Sequence, residues 1–227
     1  MKSILSIFTA TLLLLSCNNS TYKISGIIDE PQYNDTVYLG YSNDGYNFIA
    51  VDSTITTDGK FEFGGNIDES KIYYISYIGE FGPAHILFIL EPGEISMEIG
   101  RDYYRVTGTP DNDLNQDIDD VMFKYVDDIL QAQEVLNDSL ASDSTISQAR
   151  LSCYVAETEA KLYIKKVITE NIKSLTALLH LVTFAEFFTT EELNKLIEQI
   201  PEENKDRDNN PLFDILSEIQ YERQDTE

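Results

Sequence analysis

Tyr104-Arg105-Val106-Thr107-Gly108-Thr109-Pro110-Asp111-Asn112-Asp113-Leu114 is where this chain changes period. Tyr104–Thr107 reads as a strand. Thr109 then stands as an N-cap with Pro110 at the first helical position, a start signal for a helix. Leu114, Ile118, Val121, Tyr125, Ile129, Ala132 and Leu136 recur beyond it at helical spacing. The fold class follows from this junction: α+β, with a β-rich half before it and a helical half after it.

Upstream, short β-rich runs succeed one another at Tyr22–Ile28, Thr36–Tyr41, Phe48–Ile55, Phe61–Phe63, Ile72–Ile78, His85–Leu90, Glu94–Ile99 and Tyr104–Thr107. Asn43-Asp44-Gly45 and Asp58-Gly59 supply the positive φ of tight hairpins, and Glu91-Pro92-Gly93-Glu94 is a further turn. About eight strands with no helical window between them predict an antiparallel β-sandwich over residues 22–108. His85–Leu90 is apolar on both faces, which predicts a central strand.

Downstream, residues 109–227 read as all-helical. A second helix starts near Ser144 with Ile146, Ala149, Cys153, Ala156, Ala160, Tyr163 and Val167 on one stripe. A third, Leu175–Phe188, is apolar nearly all round. Thr189-Thr190-Glu191-Glu192 is a capping box for a fourth, which ends before Pro201. Asn210-Pro211 opens the last, after the acidic stretch Glu202–Asn210.

The first sixteen residues are a different kind of segment. Lys2 precedes an apolar run from Ile4 to Leu15, followed by Ser16 and Cys17. That run is about 12 residues, against the roughly 20 needed to span a bilayer, so it reads as a secretory signal. Leu-Leu-Ser-Cys resembles a bacterial lipoprotein signal, which implies lipidation of Cys17. Residues 17–21 would then be a tether, and the chain would be held at the cell envelope, facing the periplasm.

Sixteen Lys and Arg face 40 Asp and Glu, a formal net charge of −24. Nucleic acid and anionic lipid head groups are therefore disfavoured as partners. Of the two cysteines, Cys17 is the expected acylation site, which leaves Cys153 without a disulfide partner. Cys153 sits on the apolar stripe with no cysteine three residues away and no histidine within a turn, so a buried structural thiol is expected. Asp111-Asn112-Asp113-Leu114-Asn115-Gln116-Asp117 invites a calcium-loop reading. Gln116 occupies the glycine position of such a loop, however, and Met122 the bidentate glutamate position. The cluster instead suits an acidic helix N-terminus. His85 and His180, the only histidines, lie in apolar runs and read as packing histidines. No hydrolase, metalloprotease or phosphate-loop pattern occurs, so no catalytic residue, cofactor or metal is expected. Tyr38, Tyr41, Tyr46, Tyr73, Tyr74, Tyr77, Tyr103 and Tyr104 crowd the β-half and would serve as a stacking platform if exposed on one face.

Four segments stand in a telling order: Ile24-Ser25-Gly26-Ile27-Ile28; Val51-Asp52-Ser53 with Asp58-Gly59-Lys60-Phe61-Glu62-Phe63; Leu90-Glu91-Pro92-Gly93-Glu94-Ile95; and Val106-Thr107-Gly108 with Asp113-Leu114-Asn115. Together they resemble the N-terminal β-domain that precedes thioredoxin-like, peroxiredoxin-related domains in bacterial envelope lipoproteins. The resemblance implies an association with thiol or peroxide chemistry. The Cys-x-x-Cys that carries the family's redox activity has no counterpart in these residues, so that activity passes to none of them. The expected function is a non-catalytic, lipid-anchored binding or accessory module with an unknown protein or ligand partner. The alternatives are a carbohydrate-binding lipoprotein of a glycan-uptake system and a hydrolase using two carboxylates.

Overall fold

The computed structural model describes residues 21–29, 36–42, 47–80, 82–205 and 211–224. The signal, Cys17, the tether up to Ser20, the Asn43-Asp44-Gly45 turn with Tyr46, and residues 206–210 of the acidic stretch lie outside them.

Eight strands form two sheets. β1 (Thr21–Ile28), β4 (Lys60–Asn66), β7 (Gly93–Ile99) and β8 (Tyr104–Thr107) make one, in the order β4-β1-β7-β8. β2 (Thr36–Ser42), β3 (Phe48–Ile55), β5 (Lys71–Gly79) and β6 (Gly82–Leu90) make the other, in the order β3-β2-β5-β6. The alternation visible in the sequence becomes the core between them: Ile24, Leu39, Phe61, Phe63, Ile75, Phe88, Ile95, Met97 and Ile99 all point inward and are buried. At Asp58-Gly59 both residues have positive φ (51° and 76°), and Thr57 and Lys60 exchange hydrogen bonds of 2.9 and 3.0 Å. That two-residue turn passes the chain from one sheet to the other.

Two features of the sheets depart from expectation. β1 pairs antiparallel with β4 but parallel with β7, so the sandwich is not wholly antiparallel. The buried strand β1 needs a neighbour on each side, and β7, returning from the other sheet, reaches it in the same direction. β6, expected to be central, lies at a sheet edge. It is apolar on both faces for another reason: Phe88 and Leu90 enter the sandwich core, while Ile89 enters a second core under the helices.

Close approach explains one glycine. The Phe61 ring lies over Gly26, its cross-strand partner, and occupies the space a β-carbon would take. Gly26→Val is therefore expected to push Phe61 out of the core and cost about 1–3 kcal/mol, seen as a fall in Tm. An unchanged Tm would show that the ring has room to move.

Five α-helices follow: α1 (Pro110–Asn137), α2 (Asp143–Glu170), α3 (Leu175–Thr183), α4 (Thr190–Ile197) and α5 (Pro211–Gln224). The expected Leu175–Phe188 helix breaks at Phe184 into a 3-10 turn over Ala185–Phe187. Thr189 and Glu192 form both halves of the capping box of α4. Ile118, Ile164, Ile168, Leu178, Leu181, Leu193 and Leu216 make the second core.

The first two turns of α1 bind it to both sheets. Asn112, 1% exposed, accepts from the Ile89 amide (3.0 Å) and donates to the Ile89 carbonyl (2.7 Å) on the open edge of β6. One turn on, Gln116 accepts from the Val106 amide (3.0 Å) on the open edge of β8. Side-chain amides thus stand in for a missing neighbour strand at each edge. Thr109 sits at the N-cap, but its side chain makes no capping bond. The buried carboxylate of Glu91 accepts from the Asp111 amide instead (2.9 Å). Burial pushes the Glu91 carboxyl up, and the hydrogen bonds from Thr109, Asp111 and Asn112 pull against it. Asp111 in turn accepts from the Thr176 amide (3.0 Å) and hydroxyl (2.8 Å), joining α1 to α3.

Candidate interaction surface

Most polar side chains of the Asp111–Asp117 cluster are taken up by structural contacts. Asp111 binds Thr176, Asp113 accepts from the Gly108 amide (2.7 Å), and Asn115 bridges Asp119 (3.2 Å) and His180 (3.0 Å). Among the described residues, no three His, Cys, Asp or Glu stand together in a way that could hold a metal.

The two histidines separate. His85 is exposed, with its ring 5.6 Å from that of Phe48, so it is not the packing histidine its apolar run suggested. It occupies an outward position of β6, next to the inward Ile86. His180 is buried against Phe184 (6.0 Å, 9°), and burial lowers its pKa to about 4. The Asn115 amide fixes its tautomer. Asn115 Nδ2 donates to Asp119, so Oδ1 faces His180 Nε2, which must donate. Nδ1 is then a buried nitrogen with no partner. Beside it, burial and the charge of Asp120 raise Asp119 to about 6, against the pull of the Asn115 hydrogen bond.

Cys153 is half-exposed rather than buried, although Ala149 and Ala156 on the same stripe are buried. Its thiol donates to Glu157 (3.4 Å), and partial desolvation together with that carboxylate pushes its pKa up, away from thiolate reactivity. Of the described tyrosines of the β-half, Tyr38, Tyr103 and Tyr104 are exposed, and the others sit in or against the sheets. Tyr22, Tyr73 and Tyr77 pack on the sandwich core, and Tyr41 meets Tyr73 at 54°.

The least satisfied surface lies on the α1–α2 hairpin. Each helix has 28 residues, roughly 42 Å at 1.5 Å per residue. Its base is locked: Tyr125 meets Tyr163 (6.4 Å), and Lys165 pairs with Glu192 (2.7 Å) beneath the helical core. Farther out, the buried residues between Asp119 and Tyr163 are Ala132, Ala149, Ala156 and Ala160. Alanines let two helices approach closely but bury little apolar area. Met122, Tyr125, Ile129 and Leu136 are half-buried, while five other large apolar side chains of the same stretch face outward. Phe123 is 76% exposed, Leu130 53%, Leu151 62%, Tyr154 66% and Leu162 63%. An open groove of about 500 Å³ runs along the hairpin between Gln131, Val135, Gln148, Ser152, Val155 and Glu159. Exposed large apolar side chains on a helix pair of this length mark a candidate interaction site.

The fold and this surface define an α+β protein in which a β-sandwich carries a projecting helical hairpin. Residues 22–115 match the model of a family described as a domain of unknown function (DUF4369). The matched segment takes in the sandwich, Glu91, Thr109 and Asn112, and it ends in the second turn of α1, short of Phe123. No curated protein matches the chain. Among the described residues, no helix is long and apolar enough to cross a membrane.

Neither the hairpin's outward apolar surface nor the amide clamps were anticipated from the sequence. The surface had a signal. Phe123, Val126 and Leu130 fall off the stripe of Ile118, Tyr125, Ile129 and Ala132, and a helix with one partner has no need of a second apolar stripe.

Proposed function

We propose that this chain is a non-catalytic, lipid-anchored protein of the bacterial envelope that binds a partner protein through the α1–α2 hairpin. The observation that carries the reading is the inversion of the distal hairpin, with alanines inside and Phe123, Leu130, Leu151 and Leu162 outside. Covering each such side chain contributes about 1.5–3 kcal/mol. The lipobox-like end at Cys17 supports tethering at the membrane. The resemblance of the Ile24–Ile28, Asp58–Phe63, Leu90–Ile95 and Val106–Asn115 motifs to the N-terminal β-domains of redox lipoproteins favours an envelope thiol-handling protein as the first partner class to try.

A photo-crosslinking residue placed in cells at Leu130 or Leu151 should give a discrete protein adduct, while the same residue at Glu62 on the sandwich should give none. Cys17→Ala should release the chain from the membrane and weaken the adduct. Adducts from Glu62 alone, or from no position, would remove the hairpin as the binding element. Turnover of a small molecule that disappears on neutralising one carboxylate would replace the reading with an enzymatic one.

A further inference from the structure

The α1 helix carries two seams. One, made by Ile118, Met122, Tyr125, Ile129, Ala132 and Leu136, faces α2. The second lies about 100° round the helix and runs through Asn112, Gln116, Asp119, Phe123, Val126 and Leu130 at alternating steps of four and three residues. At its base this second seam is occupied: Asn112 lies against β6 and Gln116 against β8. Past the sandwich it continues as Phe123, Val126 and Leu130, all exposed. In the heptad this seam defines, the position after each second core residue is Asp113, Asp120, Asp127 and Glu134. That is an unbroken row of carboxylates, one every seven residues, along one flank. The other flank carries Met122 and Ile129 and belongs to the contact with α2. Only the acidic flank is available to steer a partner.

Resting on the hairpin reading above, we infer that the exposed seam of α1 is a coiled-coil-type docking site for an amphipathic helix of another protein. That helix presents Leu-type side chains to Phe123, Val126 and Leu130, and Lys or Arg to Asp127 and Glu134. Flanking charges are what choose partner and orientation in such packing. A second copy of this chain would bring the same carboxylates against these and be repelled. Asp120, bound to Arg105 at 2.6 Å, shows the row already holding a cation where the sandwich supplies one.

The test uses the full chain in zwitterionic nanodiscs, with empty nanodiscs as the control. Two synthetic helical peptides of about three heptads are titrated, identical in their Leu core and carrying either Lys or Glu at the flanking positions. The Lys peptide should bind roughly tenfold more tightly, because several repulsive contacts become attractive ones, and the margin should shrink as salt rises. Asp127→Lys with Glu134→Lys should invert the preference without changing helix content. Phe123→Ser with Leu130→Ser should weaken both peptides. Equal binding of the two peptides, or a preference that survives the charge reversal, overturns the inference. So does self-association of the chain that the Phe123 and Leu130 changes abolish, or binding to empty nanodiscs alone. If adducts from Leu130 persist in cells while the peptides fail to discriminate, the hairpin reading stands and the chemistry assigned to its partner falls.

Discussion

Asn112→Leu is expected to lower unfolding stability by about 3–5 kcal/mol, since two buried backbone groups lose their partners at roughly 1–3 kcal/mol each and a third bond goes with them. The groups are the amide and carbonyl of Ile89, both met by the Asn112 side chain, and the Thr109 hydroxyl, to which Asn112 donates at 2.8 Å. Leucine fills a similar volume, so little of the loss would come from a cavity. For a domain whose whole stability is about 5–15 kcal/mol, that is a large share. Urea unfolding measures the total, and hydrogen exchange at the Ile89 amide locates it. Gln116→Leu should cost less, about 1–3 kcal/mol, because it strands only the Val106 amide and gives up a half-exposed bond to Asp120. A change below about 1 kcal/mol for Asn112→Leu would mean that water replaces the amide and the clamp is incidental.

The clamp marks the boundary of what the sequence discloses. All eight strands and the start of α1 at Thr109-Pro110 are legible, because each depends on local periodicity and turn chemistry. Partners distant in the chain are not legible. Asn112 meets a strand 23 residues earlier, and His180 meets Asn115 across 65 residues. An amide in an acidic helix start looks the same whether it faces water or a sheet edge. The parallel pairing of β1 with β7 is hidden for the same reason, since register between remote strands belongs to the assembled core. His85–Leu90 misleads because an edge strand covered by helices has the composition of a central one. In the hairpin, the α2-facing seam is legible as a stripe, and the outward one leaves a fainter trace in the off-stripe Phe123, Val126 and Leu130. Cys153 lies on the apolar stripe of α2, yet there it is the small Ala149 and Ala156 that are buried and the thiol stays half-exposed.

Opposite pH dependences are expected from the two titrating groups that Asn115 joins, and single variants should expose them. His180 has its pKa lowered by burial to about 4, from 6.5. The folded state therefore binds fewer protons than the unfolded state in that window, so its contribution is intact above pH 6.5 and lost as pH falls toward 4. Burial is the cause, and the geometry agrees with it: an added proton would go to Nδ1, which has no hydrogen-bond partner. Asp119, raised from 3.8 to about 6 by burial and by Asp120, does the reverse. The folded state binds more protons there, so this contribution is present at pH 4 and lost as pH rises through 6. Relative to wild type, His180→Gln should gain about 2–3 kcal/mol as pH falls from 7 to 4. Asp119→Asn should gain about 1–2 kcal/mol as pH rises over the same range, a smaller figure because its carboxyl is partly open to solvent and screened. In wild type the two slopes oppose each other, so this site adds little net pH dependence of its own. Taking differences from wild type cancels the remaining acids, including Glu91, which titrates in the same direction as Asp119. Unfolding free energies at pH 4, 5, 6 and 7 for the three proteins decide the matter. A His180→Gln profile parallel to wild type would mean that His180 gains a proton in the folded state without penalty, which requires an acceptor at Nδ1.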